Sequence, residues 1–168
     1  MSNNTISTTT PTKAATPLDP GPNAGPYLLQ NARSGTMLDM SLINPGTIHG
    51  WARHGRANQQ WDFIANGGQG YAIRCVYRSQ PDGLPMFLTV AEGVLNGTDI
   101  IASPYPVNWN VEQTGDNSLR ISWPNSQLVI TLGNGGSAAN GTKIQLAPLE
   151  ANDPAQLWNY SAVQPARK

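Results

Sequence analysis

Apolar residues in this chain come in short alternating runs, never in a long stripe. Tyr27-Leu28-Leu29, Met37-Leu38-Asp39, Thr47-Ile48-His49 and Trp61-Asp62-Phe63-Ile64 are typical. A period of two over so few residues predicts short strands with one face buried, and no stretch keeps the 3.6-residue period of an amphipathic helix. The runs recur. Trp61, Trp109 and Trp158 are 48 and 49 residues apart, and each opens a run, Trp61-Asp62-Phe63-Ile64, Trp109-Asn110-Val111 and Trp158-Asn159-Tyr160. Tyr27-Leu28-Leu29 recurs as Tyr71-Ala72-Ile73 and Leu119-Arg120-Ile121. Met37-Leu38-Asp39 recurs as Phe87-Leu88-Thr89 and Leu128-Val129-Ile130. Thr47-Ile48-His49 recurs as Asp99-Ile100-Ile101 and Lys143-Ile144-Gln145, after the turns Gly46-Thr47, Gly97-Thr98 and Gly141-Thr142. A fixed period of this length is the mark of a repeat architecture.

Four strands in each of three copies make twelve. No copy buries its apolar face alone, so the expected fold is all-β, with three repeats closed on one another around a pseudo-threefold axis. Closure also removes sheet edges. The repeats are placed at about 26–67, 68–115 and 116–164 within one domain, 26–165, and the three Trp residues are expected in the core. Residues 1–25 are almost wholly Thr, Ser, Asn, Pro, Ala and Gly, with only Ile6 and Leu18 large and apolar. Such a segment buries too little to offset its ordering entropy and is expected to be a disordered tail.

Composition narrows the function. Ten Lys+Arg balance ten Asp+Glu in 168 residues. This argues against a nucleic-acid partner or an anionic membrane surface. No run is long enough for membrane insertion. Cys75 is the single cysteine, so no internal disulfide forms. With no signal-peptide pattern, the expected compartment is the cytosol. Cys75 alternates with Ile73 and is expected to line the core. Trp123, before Pro124, is expected to pack.

The chemistry concentrates between Thr47 and Phe63, with Asp39 just before. This stretch holds Gly50-Trp51, a basic turn (Arg53-His54-Gly55-Arg56) and Asn58-Gln59-Gln60-Trp61. A pyranose has one C–H face and a rim of hydroxyls. A Trp ring covers the first, an ionised carboxylate accepts from hydroxyls through charge-assisted bonds, and a side-chain amide donates and accepts at once. Asp39, Trp51 and Asn58 form such a set. No His/Cys cluster has metal spacing, no Gly-x-Ser-x-Gly elbow occurs and no carboxylate pair stands out for glycoside hydrolysis. The expectation is binding without catalysis, metal or cofactor.

These residues resemble the ricin-B-type β-trefoil lectins, whose repeats close on Gln-x-Trp. The first repeat is similar to fungal members in particular, through Asn31-Ala32-Arg33-Ser34-Gly35-Thr36, Leu38-Asp39, Gly50-Trp51, Arg53-His54-Gly55 and Asn58-Gln59-Gln60-Trp61. The resemblance covers about Pro26 to Val163. It implies a β-trefoil and one sugar site per intact repeat. In the first repeat it makes Asp39 the hydroxyl acceptor, Trp51 the stacking aromatic and Asn58 the amide, with Gln59 behind them and His54 at the sugar rim. It implies galactose- or N-acetylgalactosamine-type glycans first, and a role in defence. The third repeat has Thr131, Ala147 and Ala155 where the contacts should be, so that site is expected to be lost. The second reads Val107-Asn108-Trp109, but Tyr105 and Asn108 are candidates for a separate site taking a fucosylated or N-acetylglucosamine-containing glycan. One shallow site is weak, so useful avidity calls for a homodimer or a second site. The rival function is a trefoil protease inhibitor acting through an exposed loop, since fold alone does not decide. Asp39→Ala is expected to abolish first-repeat binding and leave the fold intact.

Overall fold

The structure, a computed structural model, describes residues 26–78 and 83–164. The expected tail, 1–25, lies outside the described residues. The described residues hold twelve strands, all in antiparallel pairings. They are β1 (Tyr27–Asn31), β2 (Met37–Met40), β3 (Ile48–Trp51), β4 (Gln60–Ala65), β5 (Tyr71–Cys75), β6 (Phe87–Val90), β7 (Ile100–Ser103), β8 (Asn110–Gly115), β9 (Ser118–Ser122), β10 (Leu128–Leu132), β11 (Thr142–Pro148) and β12 (Trp158–Ala162).

The first and fourth strands of the three repeats pair in a ring. β1 pairs with β4, β4 with β5, β8 with β9, β9 with β12, and β12 returns to β1. The remaining link, β5 to β8, is the bridge Tyr71–Trp109, whose backbones exchange two hydrogen bonds of 2.9 and 2.8 Å. The second and third strands form three hairpins, β2–β3, β6–β7 and β10–β11. Their third strands meet one another at equivalent positions: Thr47 opposite Ile101, Asp99 opposite Gln145 and Lys143 opposite His49.

The three repeat Trp residues sit at matching places. Trp61, Trp109 and Trp158 are fully buried. Each donates its indole N–H to a carbonyl of its own repeat's second strand, Leu38, Leu88 and Ile130, at 2.9, 3.0 and 3.2 Å. A buried indole needs such a partner. Leu29, Ile73, Ile121, Ile48, Ile100 and Ile144 fill the space between them. Cys75 lies in this core, and burial pushes its thiol up to about 12. Trp123 packs edge-on against Trp109 with centroids 5.2 Å apart.

Two local features position the first hairpin. Gly46, Gly97 and Gly141 all have positive φ, at 107°, 87° and 85°, which the Gly-Thr turns require and glycine supplies without strain. Gly50 answers a different need. A Cβ there would meet Leu132 Cδ1 and Thr36 Oγ1 at 2.8 Å, so a larger residue would have to push those two side chains aside.

Candidate functional site

The site grows out of the β2–β3 hairpin. Leu38 and Met40 stand opposite Gly50 and Ile48 and face the core, while Asp39 stands opposite His49 and Met37 opposite Trp51 on the other face. Asp39 is 3% exposed. A carboxylate that deep needs partners, and it has four. Its Oδ1 accepts from His49 Nε2 at 2.9 Å. Its Oδ2 accepts from Gln59 Nε2 at 2.9 Å and Asn58 Nδ2 at 3.0 Å, with His54 Nε2 at 3.3 Å.

The ring protons follow from these contacts. His49 faces a carboxylate through Nε2, so Nε2 carries hydrogen. His54 Nδ1 accepts from the Arg56 N–H at 3.2 Å, which places the His54 proton on Nε2, towards Asp39. Gln59 holds the loop in place. Its Oε1 accepts from the backbone of His54 and Gly55, both at 2.9 Å, and its Nε2 also donates to Ala52 O at 3.0 Å. Asn58 donates a second bond to Met40 O at 3.0 Å, while its Oδ1 is buried with no hydrogen-bond partner.

Trp51 is 36% exposed and stacks on His49 with centroids 5.0 Å apart and planes 28° from parallel. The end of β3 is braced by the third repeat. Ala52 N donates to Asn140 Oδ1 at 2.7 Å and Gly141 N to Gly50 O at 2.9 Å. Asp39, His54, Asn58 and Gln59 thus form one hydrogen-bonded cluster, and Trp51 joins it through His49. His49 is the residue that sequence reasoning missed. Its signal was its place two residues before Trp51, on the same face of one strand.

Among the described residues, the other repeats lack this cluster. Gln156 performs the loop role of Gln59, accepting from Glu150 N and donating to Pro148 O, both at 2.8 Å. Thr131, however, turns its hydroxyl to Val129 O at 3.0 Å, and Ala155 is buried and apolar. In the second repeat Asn108 lines a hollow of about 420 Å³ with Ile64, Phe87, Pro106 and Val107, and its Oδ1 accepts from Asn66 at 3.3 Å. Tyr105 stands exposed outside that lining.

Comparison with known proteins places the chain in a family and a fold. The family model described as ricin-type beta-trefoil lectin domain-like matches residues 18–103, just over half of the chain. No curated protein sequence matches. Among solved structures, the chain is similar to the ricin B-like lectin of Macrolepiota procera, solved in complex with lactose. The TM-score is 0.71 at 25% identity, over 82% of this chain and 94% of that one. The Rhizoctonia solani agglutinin is similar at a TM-score of 0.69 and 23% identity, over 88% of this chain and all of that one. ThreeFoil, a designed 3-fold symmetric protein, is similar at 0.67 and 22% identity, over 81% of this chain and 97% of that one. With a matched family model over more than half its length, the chain belongs to the ricin-type β-trefoil lectin-like family.

Proposed function

We propose that this protein is a non-catalytic lectin that binds galactose- or N-acetylgalactosamine-type glycans through its first repeat, on a β-trefoil frame of pseudo-threefold symmetry. The observation that carries the reading is an exposed Trp51 ring seated on His49 beside a carboxylate gripped by four side chains. A carboxylate offers about four lone-pair sites. Oδ2 of Asp39 is fully occupied and Oδ1 holds one donor, so one position on Oδ1 is left for a sugar hydroxyl. Trp51 covers the C–H face of the same ring. A sugar whose hydroxyl misses Oδ1 buries its second acceptor position without a donor, which is how the site discriminates. Lactose in the Macrolepiota relative is consistent with this sugar class.

A glycan array of the wild type beside Trp51→Ala tests the reading. A narrow set of galactose-terminated hits is expected, with signals at least tenfold weaker in the variant. Unchanged hits for Trp51→Ala would move binding elsewhere, and an empty array for the wild type would end the lectin reading.

A further inference from the structure

The candidate site does not stop at His49. His49 stands opposite Asp39 on β2 and, on its other side, opposite Lys143 on β11. Directly opposed residues in antiparallel strands project from the same face. Asp39, His49 and Lys143 therefore form a row across three strands, about 10 Å long from end to end at the usual strand spacing. Gln145, two residues further along β11, shares that face.

Lys143 also lines a groove of about 430 Å³ between the β6–β7 loop and β11, together with Glu92, Leu95, Asn96, Asp99 and Gln145. That is within the ordinary range for small-ligand sites. The groove is held rigid by Asp99, whose carboxylate accepts from Lys143 Nζ at 2.7 Å and Gln145 Nε2 at 2.9 Å; the same Nε2 also donates to Gly97 O at 3.0 Å. The Lys143 ammonium, only 2.7 Å from Asp99, holds that carboxyl below its usual range. Hydrogen-bonding capacity is left over along the groove. Lys143 spends one of its three donors, and neither the Asn96 amide nor Gln145 Oε1 makes a hydrogen bond among the described residues. Leu95, 67% exposed, adds an apolar patch.

We infer that this groove is an extension subsite, taking the further neutral saccharide units of a glycan whose terminal sugar sits at Asp39 and Trp51. The inference rests on the first-repeat reading. The row through His49 and Lys143 links the two places across adjacent strands, at a separation that a short oligosaccharide bridges. Asp99 and Lys143 cancel in charge and Glu92 remains, so an acidic saccharide is disfavoured. The groove has no aromatic platform, so it adds to binding at the first site and does not replace it.

Calorimetry with methyl β-galactoside, lactose and the neutral tetrasaccharide lacto-N-neotetraose tests this in the wild type and in a Lys143→Ala/Asn96→Ala variant. The wild type is expected to bind the tetrasaccharide at least fivefold more tightly than methyl β-galactoside. The variant is expected to bind methyl β-galactoside as the wild type does and to lose the tetrasaccharide gain. Equal wild-type affinities for all three sugars, or a gain that survives in the variant, overturns the subsite and leaves the first-repeat reading standing. No binding of methyl β-galactoside or lactose by the wild type sinks both.

Discussion

Asp39 is the residue that ties the first-repeat cluster together. The expectation from sequence that Asp39→Ala leaves the fold intact gains a stability cost from its surroundings. The carboxylate is the shared acceptor for His49, Asn58 and Gln59, with His54 Nε2 in contact at 3.3 Å. Removing it strands donors that are buried, and each such loss costs about 1–3 kcal/mol. Asn58 and Gln59 keep second bonds, to Met40 O and Ala52 O, which softens the effect. The expected outcome is a folded variant destabilised by about 2–4 kcal/mol, with sugar binding lost, read from urea unfolding and calorimetry. Unchanged stability would mean that the cluster reorganises freely, and the preformed acceptor would go with it. Asp39, Trp51 and Asn58 were legible because their chemistry shows in their side chains. His49 was not, because its role depends on the register that sets it opposite Asp39, and register is a property of the paired strands.

At the scale of the element, the unit is a repeat of four strands locked by one Trp. Trp158 shows what the lock does. It is fully buried, pairs opposite Leu119 of β9 and donates to Ile130 O on β10. It thus joins three strands of the third repeat, and β12 in turn pairs with β1. Trp158→Ala opens a large cavity and leaves that carbonyl without its donor, a cost of about 3–5 kcal/mol, close to the whole stability of a domain at the low end of the usual range. Loss of the cooperative thermal transition, or a Tm lowered by at least 10 °C, is expected by calorimetric scan. A normal Tm would mean that the Trp residues are not equivalent supports. The repeats were readable because the Trp period and the Gly-Thr turns recur in sequence. The loops were less so. The second repeat has Val107 where Gln59 and Gln156 tie their loops, and no helical turn precedes Trp109. Asn134, at φ 50°, sits in a Gly-rich turn, Gly133–Gly136, whose shape is set by backbone conformation and not by any apolar pattern.

For the whole molecule, the test is how the shared core answers to pH. Cys75 sits in that core among residues from all three repeats, 1% exposed, and its thiol is raised from 9.0 to about 12 by burial, with the Tyr77 backbone opposing and the nearby Asp39 and Asp62 charges reinforcing. The folded chain therefore keeps the thiol proton where the unfolded chain releases it. Below about pH 9 both states hold the proton and Cys75 contributes no pH dependence. Between about 9 and 12 the unfolded chain binds fewer protons, so stability falls as pH rises, by up to ~1.4 kcal/mol per pH unit for this one group. The contribution of this one group is isolated by difference. Cys75→Ala removes the thiol for the cost of a small cavity. Its stability at pH 8 is expected to be about 1 kcal/mol lower than that of the wild type. The gap should close, and then reverse, between pH 9 and pH 11, as measured by urea unfolding at each pH. A gap that stays constant across that range would mean that the thiol ionises in the folded protein as it does in water, and that solvent reaches the centre of the three repeats.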